Sequence, residues 1–187
     1  MKLNLIKSAG LMLFIGTFQF IIMMIISEAL YPSYSIYKNY ISDLGVGSTA
    51  YIFNTSIVLF GVLVLISSYL IYINFKWRIF LFSIMLSAIG AIGVGIFPEG
   101  SPFYLHTIMS LIVFLFGGIS AILSYKILAP PLNYISVGCG AITLIALIMY
   151  IGDIYLSLGP GGMERMIVYP VLLWVIGFSG YLMSLKN

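Results

Sequence analysis

Charge is what this sequence has least of. Asp, Glu, Lys and Arg make up 7% of its 187 residues and 62% are hydrophobic, against roughly 25% charged in a typical soluble domain. That excludes an ordinary water-soluble fold. A single cysteine, Cys139, excludes an internal disulfide and a thiolate metal cluster; lying in an apolar run, it reads as an inert buried thiol. A single histidine, His106, is a poor basis for zinc, and no HExxH-like spacing accompanies it. Serines lack the glycine-elbow context of a nucleophile, and nothing resembles a nucleotide loop or a haem-ligating pair. Eight scattered Lys and Arg residues and a net charge of +3 give no footprint for nucleic acid.

What the chain has instead is long apolar runs. About 20 apolar residues cross a bilayer as a helix, and the runs and their polar breaks predict six spans, at about 8–30, 51–73, 79–96, 104–125, 135–152 and 166–184. The expected fold is all-α: a polytopic integral membrane protein, one compact six-helix bundle with no appended soluble domain. Lys2 and Lys7 before an apolar stretch resemble a secretory signal. The run from Ala9 to Ile26 is longer than such signals use, so it reads as a retained span.

The connectors carry a lopsided charge map. Lys2, Lys7, Lys76, Arg78, Lys126 and Lys186 fall on one side of the spans, and Lys38 and Arg165 on the other. The positive-inside rule then places both termini in the cytoplasm of a multi-pass cell-membrane protein. Glu28, Asp43, Glu99, Asp153, Glu164 and His106, which do not enter that count, all fall on the outer side.

The first outer connector, "YPSYSIYKNYISDLG", places tyrosine at positions 31, 34, 37 and 40, followed by Asp43. Tyrosine pairs an apolar ring with a polar tip and favours the membrane–water interface. The segment reads either as an aromatic belt pinned by Pro32 or as an aromatic lid over a pocket between helices. The even spans share a glycine-to-serine spacing of seven residues: Gly61 to Ser68, Gly117 to Ser124, Gly177 to Ser184. Three repeated hairpins would produce it, and so would chance matching among apolar residues.

Each even span also begins with polar groups: Asn54, then His106, then Glu164 and Arg165 with Tyr169 a turn deeper. Ser101 and Pro102 suit the cap and first position of the fourth span. Sequence neighbours do not share a helix face, so Glu164 and Arg165 must find different partners, and Arg165 suits Asp43 or Glu99 through a bidentate fork. Each residue also has a plain reading: Asp43 caps a turn, Glu164 favours a helix start, His106 makes one hydrogen bond. Glu28, Asp153 and Lys38 read as structural or solvated. Asp43, Glu99, His106 and Arg165 are the group that can share a site, since ionisable residues at a membrane border are costly unless paired or wet. Asp43, Glu99 and His106 are the catalytic candidates and the weak candidates for a divalent cation; Asp43, Asn54, Glu99, His106, Glu164, Arg165 and Tyr169 are the candidate ligand-binding set. Met23, Met24, Met163 and Met166 read as apolar filler.

"ISDLG" with a following "FN", then "FPE…H", then "GGMERMIVYP…W", resemble the small membrane family called domain of unknown function 998. The matching positions are Ser42, Asp43, Leu44, Gly45, Asn54, Pro98, Glu99, His106, Gly162, Glu164, Arg165, Tyr169, Pro170 and Trp174. The resemblance implies a multi-span bundle with its polar motifs at one membrane face, and no particular reaction. Two functions follow. One is a site that binds or acts on a lipid head group or small polar ligand, with Arg165 holding an anion. The other is a structural or accessory role, in which the cluster locks the outer loops and the partners are lipids, a membrane subunit or a second copy. A transporter is disfavoured, because no ionisable residue lies deep in the spans.

Overall fold

The computed structural model describes residues 5–185, so Lys2 and Lys186 of the charge map lie outside it. Six helices account for most of these residues: α1 (Leu5–Leu30), α2 (Ala50–Phe75), α3 (Arg78–Ile96), α4 (Leu105–Leu123), α5 (Leu132–Ile151) and α6 (Gly159–Ser184). No strand occurs among the described residues. All six are long and apolar enough to cross a membrane, which makes this a multi-pass membrane protein. Hydrocarbon offers no partner for backbone N–H and C=O groups, and a helix satisfies them within its own segment. Large apolar side chains therefore face outward as freely as inward: Phe18, Phe82, Ile148 and Leu173 are all exposed, where lipid would meet them.

Each helix packs on its neighbours in sequence, and α6 returns to α1 to close a ring. The main apolar core joins α1, α2, α3, α4 and α6. Behind it α5 bridges α4 and α6, with a smaller cluster around Ala146, Leu147, Met163 and Ile167. At the centre is a cavity of about 80 Å³. Its walls come from α1, α2, α3, α4, α6 and the first connector, with none from α5.

The up-and-down order sets two ends. The acidic end holds the connectors 31–49, 97–104 and 152–158; the basic end holds Lys7, Lys76, Arg78 and Lys126. One element differs from expectation in a way that matters. The last helix begins at Gly159, not near residue 166. Gly159 takes a left-handed φ of +73°, which glycine adopts without strain, and Pro160 then occupies the first turn, where its missing N–H is not needed. "GPGGMER" is therefore helical, and Glu164 and Arg165 lie inside the helix and buried. Ser101 also departs from its expected capping role: its hydroxyl donates to the Pro98 carbonyl at 2.6 Å, and no side-chain cap closes the turn that follows.

The glycine–serine spacing has no common packing role. A methyl at Gly61 would press on the Ala88 carbonyl oxygen of α3 at 2.9 Å, at Gly117 it would touch Ser87 and Val171 at 3.4 Å, and at Gly177 it would meet nothing within 4 Å. Ser68 and Ser124 are buried, whereas Ser184 is exposed.

Candidate functional site

The first connector folds down onto the start of α6. Two short 3-10 turns, Ser42–Gly45 and Gly47–Thr49, carry it to α2, and Ile41, Leu44, Gly45 and Thr49 are buried. Gly161 permits this approach. Its N–H donates to the Tyr37 carbonyl at 3.3 Å, and a side chain there would fall on the Asn39 carbonyl oxygen and within 2.6 Å of that of Ile36.

Glu164 and Arg165 then grip the connector from successive positions on α6. The step of about 100° between helical neighbours turns them to different partners. Glu164, 2% exposed, accepts hydrogen bonds from the Ile41 backbone N–H and from the Ser42 hydroxyl, the latter at 2.8 Å. Arg165, 5% exposed, pairs with Glu28 of α1 at 2.6 Å. Its Nη2 also donates to the Tyr34 hydroxyl at 2.6 Å, and its Nη1 donates to the carbonyls of Gly161 (2.8 Å), Asn39 (3.3 Å) and Ile36 (3.4 Å). The guanidinium lies over the Tyr34 ring, 5.5 Å from its centre. Of the three guanidinium nitrogens, only Nε is buried without a partner among the described residues.

Arg165 therefore meets neither Asp43 nor Glu99, the expected carboxylates. The reason is ring closure: α1 lies beside α6 and brings Glu28, on its last turn, to the guanidinium, while Asp43 is engaged by Asn39 and Tyr40 of its own connector. Tyr34 completes the grip by donating to the Tyr40 carbonyl at 2.9 Å. Burial pushes its phenol up to about 12, with nearby Arg165 partly opposing the shift. It therefore stays protonated at neutral pH and can donate.

Asp43 serves the connector itself. Its Oδ2 accepts from the Asn39 side chain (2.9 Å) and the Tyr40 N–H (3.0 Å). Asn54 donates to the Gly45 carbonyl at 2.9 Å, and its own oxygen is buried without a partner. His106 stands apart: Nδ1 lies 2.9 Å from the Phe97 carbonyl and Nε2 lies 3.3 Å from the Ser110 hydroxyl. A carbonyl only accepts, so Nδ1 carries the hydrogen. Tyr169 is partly exposed, one turn below Arg165. Among the described residues no three His, Cys, Asp or Glu side chains gather as a metal site would require.

Glu99 sits at the surface of the acidic end beside Asp43. Partial burial, then the hydrogen-bond contact and like charge of Asp43, raise its carboxyl above the ordinary range. The folded protein thus holds this proton more tightly than the unfolded chain, and stability linked to it falls as pH rises. We expect the thermal midpoint to decline with pH from about 4, the ordinary glutamate value, through the raised value. Glu99→Gln should flatten that slope; an unchanged profile in the variant would show that the two carboxyls do not interact.

Glu28, Tyr34, Asn39, Ser42 and Gly161 belong to this site and were not expected in it. The motif "ISDLG" signalled Ser42 and the tyrosine spacing signalled Tyr34, but Glu28, Asn39 and Gly161 carry no local signal, and grouping them requires knowing that the first and last helices adjoin.

Residues 14–180, most of the chain, match one family model, described as "Protein of unknown function (DUF998)". No curated protein and no solved structure matches the chain.

Proposed function

The chain belongs to the DUF998 family, and from that premise we propose that it is a lipid-binding protein of the cell membrane whose first connector is a lid over the central cavity. Glu164 and Arg165 are its latch. The observation that carries this reading is that Ser42 and Glu164 do two things at once: they form a latch hydrogen bond and they line the cavity. Opening the latch therefore opens the cavity.

The walls are mainly aliphatic and aromatic, relieved by the hydroxyls of Ser42, Ser87, Ser110 and Ser120 and by the Glu164 carboxylate, a surface that favours hydrocarbon. With the lid down, the space is well below the roughly 300 Å³ at which small-molecule sites begin, so it takes the end of an acyl chain and not a whole lipid. The head group then rests at the acidic end, where Asp43 and Glu99 favour a cationic group such as an ammonium. The Lys and Arg count supports an orientation with that end outside the cell and both termini in the cytoplasm.

A second reading, a purely structural lock, is favoured by one observation: Glu164 and all the Arg165 donors except Nε are engaged within the protein. Native mass spectrometry of protein released from mild detergent separates the two. The lipid-binding reading expects a discrete lipid adduct on the wild type and altered occupancy in Glu164→Leu, which removes the acceptor from both the Ile41 N–H and the Ser42 hydroxyl. A bare wild-type mass, with the variant merely less stable, would favour the lock.

A further inference from the structure

The basic end carries a groove that the latch does not involve. Trp77, just before α3, Ile122 and Leu123, at the end of α4, and Tyr125 and Lys126, in the 3-10 turn that follows, line an open groove of about 380 Å³ together with Val137 of α5. That volume lies within the range of ligand sites, about 300–1,000 Å³. The wall is apolar apart from one charge. The Lys126 ammonium stands 5.2 Å from the centre of the Trp77 ring, a cation–π placement that holds it at the groove.

Among the described residues that charge has no acid to meet. All five Asp and Glu side chains lie at the opposite end of the bundle, and the one ion pair among the described residues is Arg165 with Glu28. Lys76 and Arg78 flank Trp77 in sequence and add positive charge at the same end. An apolar trough beside an uncompensated ammonium, at the depth where a helix leaves the hydrocarbon, matches an amphiphile with an anionic head. A free anion would gain nothing from the trough, and a neutral chain would gain nothing from the lysine.

We propose that this groove binds an anionic phospholipid, its phosphate on Lys126 and its acyl chain between Ile122 and Val137. The site is independent of the lid and of the ligand proposed for the central cavity. A basic residue facing an anionic head group contributes about 1 kcal/mol, or roughly a five-fold change in affinity.

The test is titration of the purified, detergent-solubilised protein with phosphatidylglycerol and, separately, phosphatidylcholine, followed by native mass spectrometry. We expect the wild type to bind phosphatidylglycerol more tightly, and Lys126→Gln to weaken that binding about five-fold or more. Lys7→Gln, which removes the same charge from the same end on α1, across the ring, should change it little. Val137→Phe keeps the lysine and fills the trough, so it should also weaken binding, with the thermal midpoint of each variant confirming the fold. Equal binding of the two lipids overturns the proposal, as does equal weakening by Lys7→Gln and Lys126→Gln, which would mean diffuse attraction to the basic end. Undiminished binding by Val137→Phe overturns it too.

Discussion

Replacing Arg165 with leucine is expected to destabilise the folded protein by about 3–5 kcal/mol, the loss typical of breaking a buried ion pair from one side. The substitution leaves Glu28 facing an apolar neighbour, its side chain only 16% exposed. It also removes donors from the Tyr34 hydroxyl and from the carbonyls of Ile36, Asn39 and Gly161, and unsatisfied buried acceptors add to the loss. Denaturation in mixed micelles, followed by circular dichroism, reads the effect. The double variant Glu28→Gln with Arg165→Leu should recover part of the loss, because no charge is then stranded. Arg165→Lys should recover little: one ammonium cannot reproduce a planar fork that reaches Glu28, Tyr34 and three carbonyls. A single substitution costing under about 1 kcal/mol, the level of an exposed pair, would mean that the guanidinium is solvated and that the grip described for it is wrong.

Gly161→Ala is the second large effect. A methyl group there has no room, because the atoms it meets are backbone carbonyl oxygens of Ile36 and Asn39, which cannot swing aside as a side-chain tip can. Overpacking of this kind typically costs about 1–3 kcal/mol. Here the relief is specific: the connector must lift from α6 and take Ile41 and Ser42 away from Glu164. Hydrogen exchange should therefore rise at residues 36–45 and leave the middle of the helices unchanged. Gly177→Ala is the matched control on the same helix: nothing lies within 4 Å of a methyl there, so it should leave stability unchanged or raise it by up to about 1 kcal/mol, the helix-propensity deficit of glycine relative to alanine. If both variants exchange alike, the connector is not seated on Gly161.

How far the structure can be read from the sequence depends on the range of the information. Span number is a one-dimensional property, since the hydrocarbon layer demands about 20 apolar residues, and six such helices form. The different duties of Glu164 and Arg165 were likewise legible from helical geometry alone. Where α6 begins was not: "GPGG" looks like a breaker, and only Pro160 at the first turn and the connector docked on Gly161 make it helical. The partner of Arg165 was illegible for a longer-range reason. Asp43 and Glu99 sit in motifs that draw attention, whereas Glu28 is a lone acid at the end of an apolar run. Nothing local says that α1 and α6 touch. The connector was half legible: its tyrosines suggested either a belt or a cover, yet the connector residues that line the cavity are Ile41 and Ser42, and Tyr37 is largely exposed.

Closure of the ring between the first and last helices has a consequence for how the protein is made. The connector and Glu28 leave the ribosome early, but Glu164 and Arg165 are not synthesised until four further helices have been made. Throughout that interval Glu28 sits at a membrane boundary without its cation, and the Ile41 N–H lacks its acceptor. Docking of the first connector therefore waits until α6 has been made, and a nascent chain halted before α6 presents an unpaired acid and an undocked loop.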